Sequence, residues 1–372
     1  MGMGDTGKGI KVAMVTNIPA PYRLRIFEQL GAHADIDFCV FYCSGREPDR
    51  EWDLQQTAFQ QVYLKESFIT YRGRYIHCNP DAWSALRAFG PDVVITSGFN
   101  PTFIVAFLYA QLHGARHIAM TDGTFTTEAT LSRMHRLVRR VVYRGTRAFI
   151  GASQGSFELY RSYGIEAQRM FQSHLCANNE AYQPISADRK QYDFVFSARF
   201  IAAKNPLFAL EVAQQVARRL RRRTRILLLG SGEMLDDMVH YADQIRDDVD
   251  ATFAGFVKQE ALPAHYASAR VLLFPTQMDT WGVVANEACA AGLPVVVTPM
   301  AGVAGDLVIH DENGFVLPLD MGVWVDACTR LLQDEGLYQR FAASSMQRVK
   351  AYTYDNAAQG IYDAVQLAVS GH

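Results

Sequence analysis

"FPTQMDTWGVVANEACAAGLPVVVTP", residues 274–299, holds the fold in miniature. An apolar run ends at Phe274, a polar loop follows, Gly282 opens a helix, and "PVVVT" at 294–298 begins another apolar run. Strand, crossover helix and strand make a βαβ unit. Its parallel strands are covered on both faces, so they read as unbroken Val, Ile and Leu. Two acids punctuate the stretch: Asp279 in the loop and Glu287, expected in the first turn of the helix, with seven residues between them. In open α/β sheets ligands sit beyond the carboxyl ends of the strands, which is where this loop falls.

The alternation continues in both directions. "KVAMVT" (11–16), "IDFCVFYC" (36–43), "DVVIT" (92–96), "HIAMT" (117–121) and "RAFIG" (147–151) are strand-like, with helix-length segments among them. The pattern restarts with "DFVFSA" (193–198), "RILLLG" (225–230) and "VLLFP" (271–275). A length of 372 residues exceeds one ordinary core, since domains cluster near ~100–150 residues. The reading is α/β: two doubly wound, Rossmann-like parallel-sheet domains over 1–180 and 190–350. The polar, Pro184-containing stretch 176–192 is expected to link them. Residues 353–369 read as a helix with Asp355 as its cap, within a C-terminal piece (351–372) that packs back on the first domain.

A 49% apolar, 20% charged composition with net charge −2 is that of a globular protein with no overall pull toward nucleic acid. Six cysteines lie scattered without C-x-x-C spacing and read as reduced core residues. "MGMGDTGKGI" lacks an apolar leader core, and no run approaches the ~20 apolar residues of a membrane span, so a cytoplasmic protein is expected.

The chemistry gathers at strand ends. Backbone N–H groups from Trp281 through Gly282 and Val283 to Val284 start a helix and offer unpaired donors to an anion, a diphosphate in particular. Asp279 and Glu287 cannot bind phosphate as carboxylates, but they can accept hydrogen bonds from neutral hydroxyls, as on the sugar and ribose of a nucleotide sugar. Capping and dipole complementation are the plainer explanation of the same acids. Arg199 and Lys204 in "FSARFIAAKNP" close the first strand of the second half, where two cations would neutralise a diphosphate and the charge building on it as it departs.

Together these residues resemble the retaining glycosyltransferases of family 4, which have the GT-B fold of two Rossmann-like domains facing a cleft. "FSARFIAAKNP", "ILLLGSGEM", "FAGFV", the stretch from Leu262 to Gly302 and "ENGFVLP" keep the family's order and spacing, and "TNIPAPYRLRIFEQL" is similar to acceptor domains of one branch. The resemblance implies that Arg199 and Lys204 bind the donor diphosphate, that Asp279 holds sugar hydroxyls and that Glu287 holds the ribose. It implies that the backbone near Phe256 and Val257 meets the nucleobase, with Gly230, Trp281, Gly282 and Val283 also on the donor side. Two positions depart from the family: its E-x7-E opens here with Asp279, one methylene shorter, and its glycine before the arginine is Ala198.

In the first half, "NIPAPYR" leaves Tyr22 and Arg23 opening a helix, as an acceptor contact or a plain exposed helix start, and Asp122 closes a strand toward the expected cleft or forms a simple turn. The Asp-x-Asp spacings at 35–37 and 248–250 precede strands instead of following them, so no metal is expected. No histidine stands out as a base. "LSRMHRLVRRVVYRG" gathers Arg133, Arg136, Arg139, Arg140 and Arg144 beside apolar residues, either a solvated helix or one suited to anionic headgroups. The expected function is transfer of a sugar from a nucleotide-diphosphate sugar to a saccharide or lipid-linked saccharide hydroxyl. Neither metal nor cofactor is expected to take part, and peripheral contact with the inner face of a membrane is expected for a lipid-linked acceptor. A GT-B nucleotide-sugar epimerase and a non-catalytic nucleotide-sugar-binding protein are the alternatives.

Overall fold

The structure, a computed structural model, describes residues 9–46, 57–71, 74–128, 132–185 and 189–370. The chain divides into two compact units: residues 1–175 with 354–372, and residues 176–353.

Unit 1 opens with β1 (Ile10–Thr16), α1 (Pro21–Gly31), β2 (Ile36–Tyr42) and β3 (Gln60–Tyr63). A small hairpin, β4 (Phe68–Tyr71) and β5 (Arg74–His77), leads to α2 (Ala82–Phe89), β6 (Val93–Thr96), α3 (Pro101–His113) and β7 (Arg116–Thr121). Then come α4 (Phe125–Glu128), α5 (Arg133–Arg144), β8 (Thr146–Gly151), α6 (Gln154–Ser162) and β9 (Met170–Gln172). Among the described residues the main sheet has seven strands in the order β3-β2-β1-β6-β7-β8-β9, every pair parallel. The winding reverses between β1 and β6, which opens a crevice at their carboxyl ends.

Unit 2 repeats the plan with β10 (Tyr192–Ser197), α7 (Pro206–Leu220), β11 (Thr224–Leu229), α8 (Leu235–Gln244) and β12 (Val249–Gly255). It continues with α9 (Leu262–Ala267), β13 (Ala269–Phe274), α10 (Val283–Ala290), β14 (Val295–Val297), β15 (Gly314–Val316), α11 (Met321–Gln333) and α12 (Glu335–Val349). Among the described residues six parallel strands run β12-β11-β10-β13-β14-β15, with the reversal between β10 and β13. Phe194, Phe196, Leu228, Val271 and Val296 meet Leu210, Ala213 and Trp324 from the covering helices in a core closed to solvent, which explains the unbroken apolar runs.

The last helix, α13 (Tyr354–Val369), belongs to unit 1, where Ala357, Ala358, Ile361, Ala364, Val365 and Ala368 are buried. Asp355 is not its cap: it lies inside the first turn and accepts a hydrogen bond from Gln29 of α1. The stretch expected as a linker is partly built into unit 2. Cys176 Sγ lies 3.2 Å from the Thr353 carbonyl, and Asn179 Nδ2 donates to the carbonyls of Val349 at 3.1 Å and Tyr352 at 3.0 Å. Its polar side chains serve the backbone groups left at the end of α12. Five of the cysteines are buried as expected, but Cys78 is exposed.

The candidate donor and acceptor sites

The reversal point of unit 2 brings together the loops after β10 and β13. Phe200, wholly buried, pins the first loop: its N–H donates to the Ser231 carbonyl at 2.7 Å and its carbonyl accepts from Met234 N–H at 3.0 Å. Arg199 beside it is left exposed. Gly230 answers to this packing, because a Cβ there would stand 1.9 Å from the Ala198 carbonyl oxygen. Its N–H donates to the Gly255 carbonyl at 2.8 Å, so the loops carrying Arg199, Gly230 and the pair Phe256 and Val257 follow one another along the carboxyl edge of β10, β11 and β12. Phe256 is 47% exposed there, an aromatic face open to a planar partner.

A single 3-10 turn, Ala202–Lys204, follows Arg199. Gln277 N–H and Thr276 Oγ1 both donate to the Ala203 carbonyl, at 2.8 and 3.1 Å, tying this turn to the loop after β13. Lys204 Nζ reaches Asp279 Oδ2 at 2.5 Å, with the lysine side chain 16% and the aspartate 22% exposed. The other carboxylate oxygen of Asp279 accepts from the Trp281 N–H at 3.2 Å. The Trp281 N–H is therefore not an open donor, contrary to expectation, and its ring is core: wholly buried, with Nε1 donating to Asn286 Oδ1 at 2.8 Å. The donors that helix geometry leaves without an intrahelical acceptor begin at Val283 and Val284. Gly282 makes this entry possible. It holds φ at 109°, and a Cβ would lie 2.3 Å from the Phe274 ring.

With Gly282 as N-cap, Glu287 is the fifth helical residue, beyond the first turn where it was expected. It is only 6% exposed and accepts a hydrogen bond from Tyr266 Oη at 2.7 Å. Burial lifts its pKa to about 7, against the opposing hydrogen bonds of Tyr266 and Tyr182. Tyr266 and Tyr182 escaped the sequence reading, because neither sits at a strand end. An ammonium has three donors and a carboxylate about four acceptor positions, so the Lys204–Asp279 pair keeps capacity for a diphosphate on one side and a hydroxyl on the other.

Unit 1 has a cavity of about 180 Å³ at its own reversal point, lined by Thr16, Asn17, Tyr22, Arg23, Ser97 and Asp122 among others. Arg23 is no exposed helix start. It is 7% exposed, pairs with Asp122, and donates to Ser173 Oγ at 3.4 Å. Ser173 follows β9, a strand of three residues without an apolar run, so no strand end marked it in the sequence. His174, the next residue, is held neutral at physiological pH: burial, with the Arg23 charge adding to it, lowers its pKa to about 4.

The Asp-x-Asp spacings fall at strand starts, and one aspartate of each is structural. Asp35 accepts from Tyr362 Oη at 2.8 Å, and Asp248 pairs with Arg218 at 2.9 Å. Among the described residues no cluster of three or more His, Cys, Asp or Glu is placed to hold a metal. In the basic helix α5, Arg139 departs from its neighbours: it is buried, pairs with Glu128 and covers the Phe99 ring at 4.3 Å. Arg133, Arg136, Arg140 and Arg144 stay exposed, as do Met134, Leu137 and Val141.

Residues 178–348 match the family "Glycosyl transferases group 1", which is unit 2 almost from end to end. Unit 2 is thus similar in sequence to a group 1 glycosyltransferase domain. An uncharacterized glycosyltransferase of Methanocaldococcus jannaschii is 30% identical over 151 residues, 40% of this chain and 38% of that protein. D-inositol 3-phosphate glycosyltransferase of Rhodococcus jostii is 23% identical over 273 residues, 69% of this chain and 60% of that one. The chain thus spans less than two thirds of the length of these curated relatives. Among solved structures, Anabaena HepE in complex with UDP and glucose is 14% identical with a TM-score of 0.72, covering 96% of this chain and 99% of its own. Sucrose-phosphate synthase from Thermosynechococcus elongatus is 17% identical at 0.71, covering 96% and 98%. These likenesses are ones of fold, and the fold of this chain is GT-B, two Rossmann-like parallel sheets with their helices.

Proposed function

We propose that the protein is a retaining glycosyltransferase of family 4 type, moving a sugar from a nucleotide-diphosphate sugar held by unit 2 to a hydroxyl acceptor held by unit 1. The observation that carries this reading is the convergence of Arg199, the Lys204–Asp279 pair and the entry of α10 at the reversal point of the unit 2 sheet. Arg199, Lys204 and the N–H groups of Val283 and Val284 stabilise the diphosphate as it leaves. The spare acceptor capacity of Asp279 orients sugar hydroxyls. Glu287, already bonded to Tyr266 and Tyr182, takes a ribose hydroxyl at a remaining acceptor position, and Phe256 and Val257 flank the base. Complexes of HepE with UDP and glucose, and with UDP-glucose, support a nucleotide sugar as donor.

On unit 1, the cavity around Tyr22, Arg23 and Asp122 receives the acceptor. The exposed arginines and apolar residues of α5 support an acceptor at an anionic membrane, a lipid-linked saccharide in polysaccharide or glycolipid assembly. No helix among the described residues is long and apolar enough to cross a membrane. Metal is not required in this proposal, because two cations and a helix entry already supply the positive field.

Arg199→Ala tests the assignment. Losing one charge-assisted contact to the departing group costs about 3 kcal/mol of barrier, roughly a hundredfold in kcat at saturating donor. Donor consumption is followed with a panel of nucleotide sugars and saccharide acceptors. Near-normal turnover of the variant removes Arg199 from the chemistry, and activity of the wild type that EDTA abolishes and magnesium restores removes the metal-independent scheme.

A further inference from the structure

The amino-terminal end of the unit 1 sheet, away from the acceptor cavity, holds a larger cavity of about 540 Å³. That is within the range of roughly 300–1,000 Å³ typical of small-molecule sites. Four arginines line it from four segments: Arg116 at the start of β7, Arg144 at the end of α5, Arg147 in β8 and Arg169 just before β9. Arg169 is the fixed member. It donates through Nε to the Arg147 carbonyl at 3.0 Å, bonds the Thr146 carbonyl, and lies 5.1 Å over the Phe149 ring. Arg116, Arg144 and Arg147 are exposed, and none has a carboxylate partner among the described residues.

Like charges around one opening repel each other and gain from an anion among them. Planar guanidiniums match phosphate oxygens two at a time. Burial and the neighbouring Arg147 charge, against the opposing influence of Glu166, already depress the pKa of Arg169. His117 on the wall adds no charge: it is wholly buried, bonded to Thr146 and Thr96 at 2.8 and 3.0 Å, and burial lowers its pKa to about 3. Ala110, Ala115 and Leu367 of α13 supply an apolar wall beside the arginines.

We infer that this cavity is a second ligand site, specific for a phosphomonoester whose carbon skeleton rests on the apolar wall. The phosphate belongs either to a soluble sugar phosphate or to the headgroup of a lipid such as phosphatidic acid. The site lies at strand starts, where the transfer reaction has no component, and it stands whether or not the reading of the donor site does.

Calorimetric titration of the full chain with glucose 6-phosphate in chloride buffer, and flotation with phosphatidylcholine vesicles with and without phosphatidic acid, compare the wild type with an Arg144→Ala, Arg147→Ala variant. Both residues are exposed, so an unchanged melting temperature is expected to confirm the variant's fold. Binding weakened at least tenfold in the variant is expected with one or both probes. Glucose 6-phosphate alone marks the soluble source, and phosphatidic acid alone marks the headgroup. A lysine pair at the same positions should recover part of the affinity, since charge returns without the fork. An Arg199→Ala control should bind as the wild type does, which separates this site from the diphosphate site. Equal binding by wild type and alanine variant, or no binding of either probe to the wild type, overturns the inference.

Discussion

Glu287 shows how burial changes what a side chain can be asked to do. A carboxylate in the first turn of an exposed helix would stay ionised and complement the dipole. One residue further in and closed to solvent, it has a folded pKa of about 7 against an ordinary 4.5. Between those values the native state holds more protons than the unfolded chain, so this group favours folding at low pH and loses that contribution as pH rises from about 4.5 through 7. The full swing is on the order of 3 kcal/mol. Melting curves of the wild type and Glu287→Gln across this window are expected to diverge, with the wild type losing stability relative to the variant as pH rises. Parallel curves would mean that Glu287 titrates as it does in water. The sequence marked the position of this acid, but the two phenols that hold it come from Tyr182 and Tyr266, remote in the chain, and no spacing could announce them.

At the scale of elements, α5 separates into two faces that composition had merged. Arg139 turns inward to Glu128 and Phe99, while Arg133, Arg136 and Arg140 accompany the exposed Met134, Leu137 and Val141. Each cation near an anionic surface contributes about 1 kcal/mol, and less as salt shortens the Debye length below ~10 Å. Flotation with phosphatidylglycerol vesicles at low salt should recover the wild type and lose the Arg133→Glu, Arg136→Glu, Arg140→Glu variant. Indistinguishable recovery would remove α5 from membrane contact. Arg139→Ala belongs to a different experiment: removing one partner of a buried pair costs about 3–5 kcal/mol, so it should lower the melting temperature whether or not a membrane is involved. Arginines with helical spacing were legible as a basic helix. Which one faces the protein depends on where Glu128 and Phe99 fold to.

For the molecule as a whole, the chain order hides the membership of α13, which closes the sequence yet belongs to the unit that opens it. Its buried Ile361 and Val365 are each worth about 1.5–3 kcal/mol, and four buried alanines add to them. Domains are stable by only about 5–15 kcal/mol. A chain ending at Thr353 is therefore expected to lose the calorimetric transition of unit 1 while keeping that of unit 2, and two unchanged transitions would show α13 to be dispensable.

What the sequence determined by itself was the architecture and the place of the candidate site in unit 2. Parallel strands covered on both faces must be apolar throughout, so β10, β11, β13 and their counterparts in unit 1 declared themselves locally, and loops following such runs stand at the ligand end of a sheet whatever the remaining contacts are. The tertiary structure alone decided who pairs with whom. Arg23 meets Asp122 and Ser173, Lys204 meets Asp279, and Arg116, Arg144, Arg147 and Arg169 gather around one cavity. A hydrogen bond or an ion pair is fixed by distance, and residues separated by tens or hundreds of positions acquire a distance only when the sheets are wound and the helices seated on them.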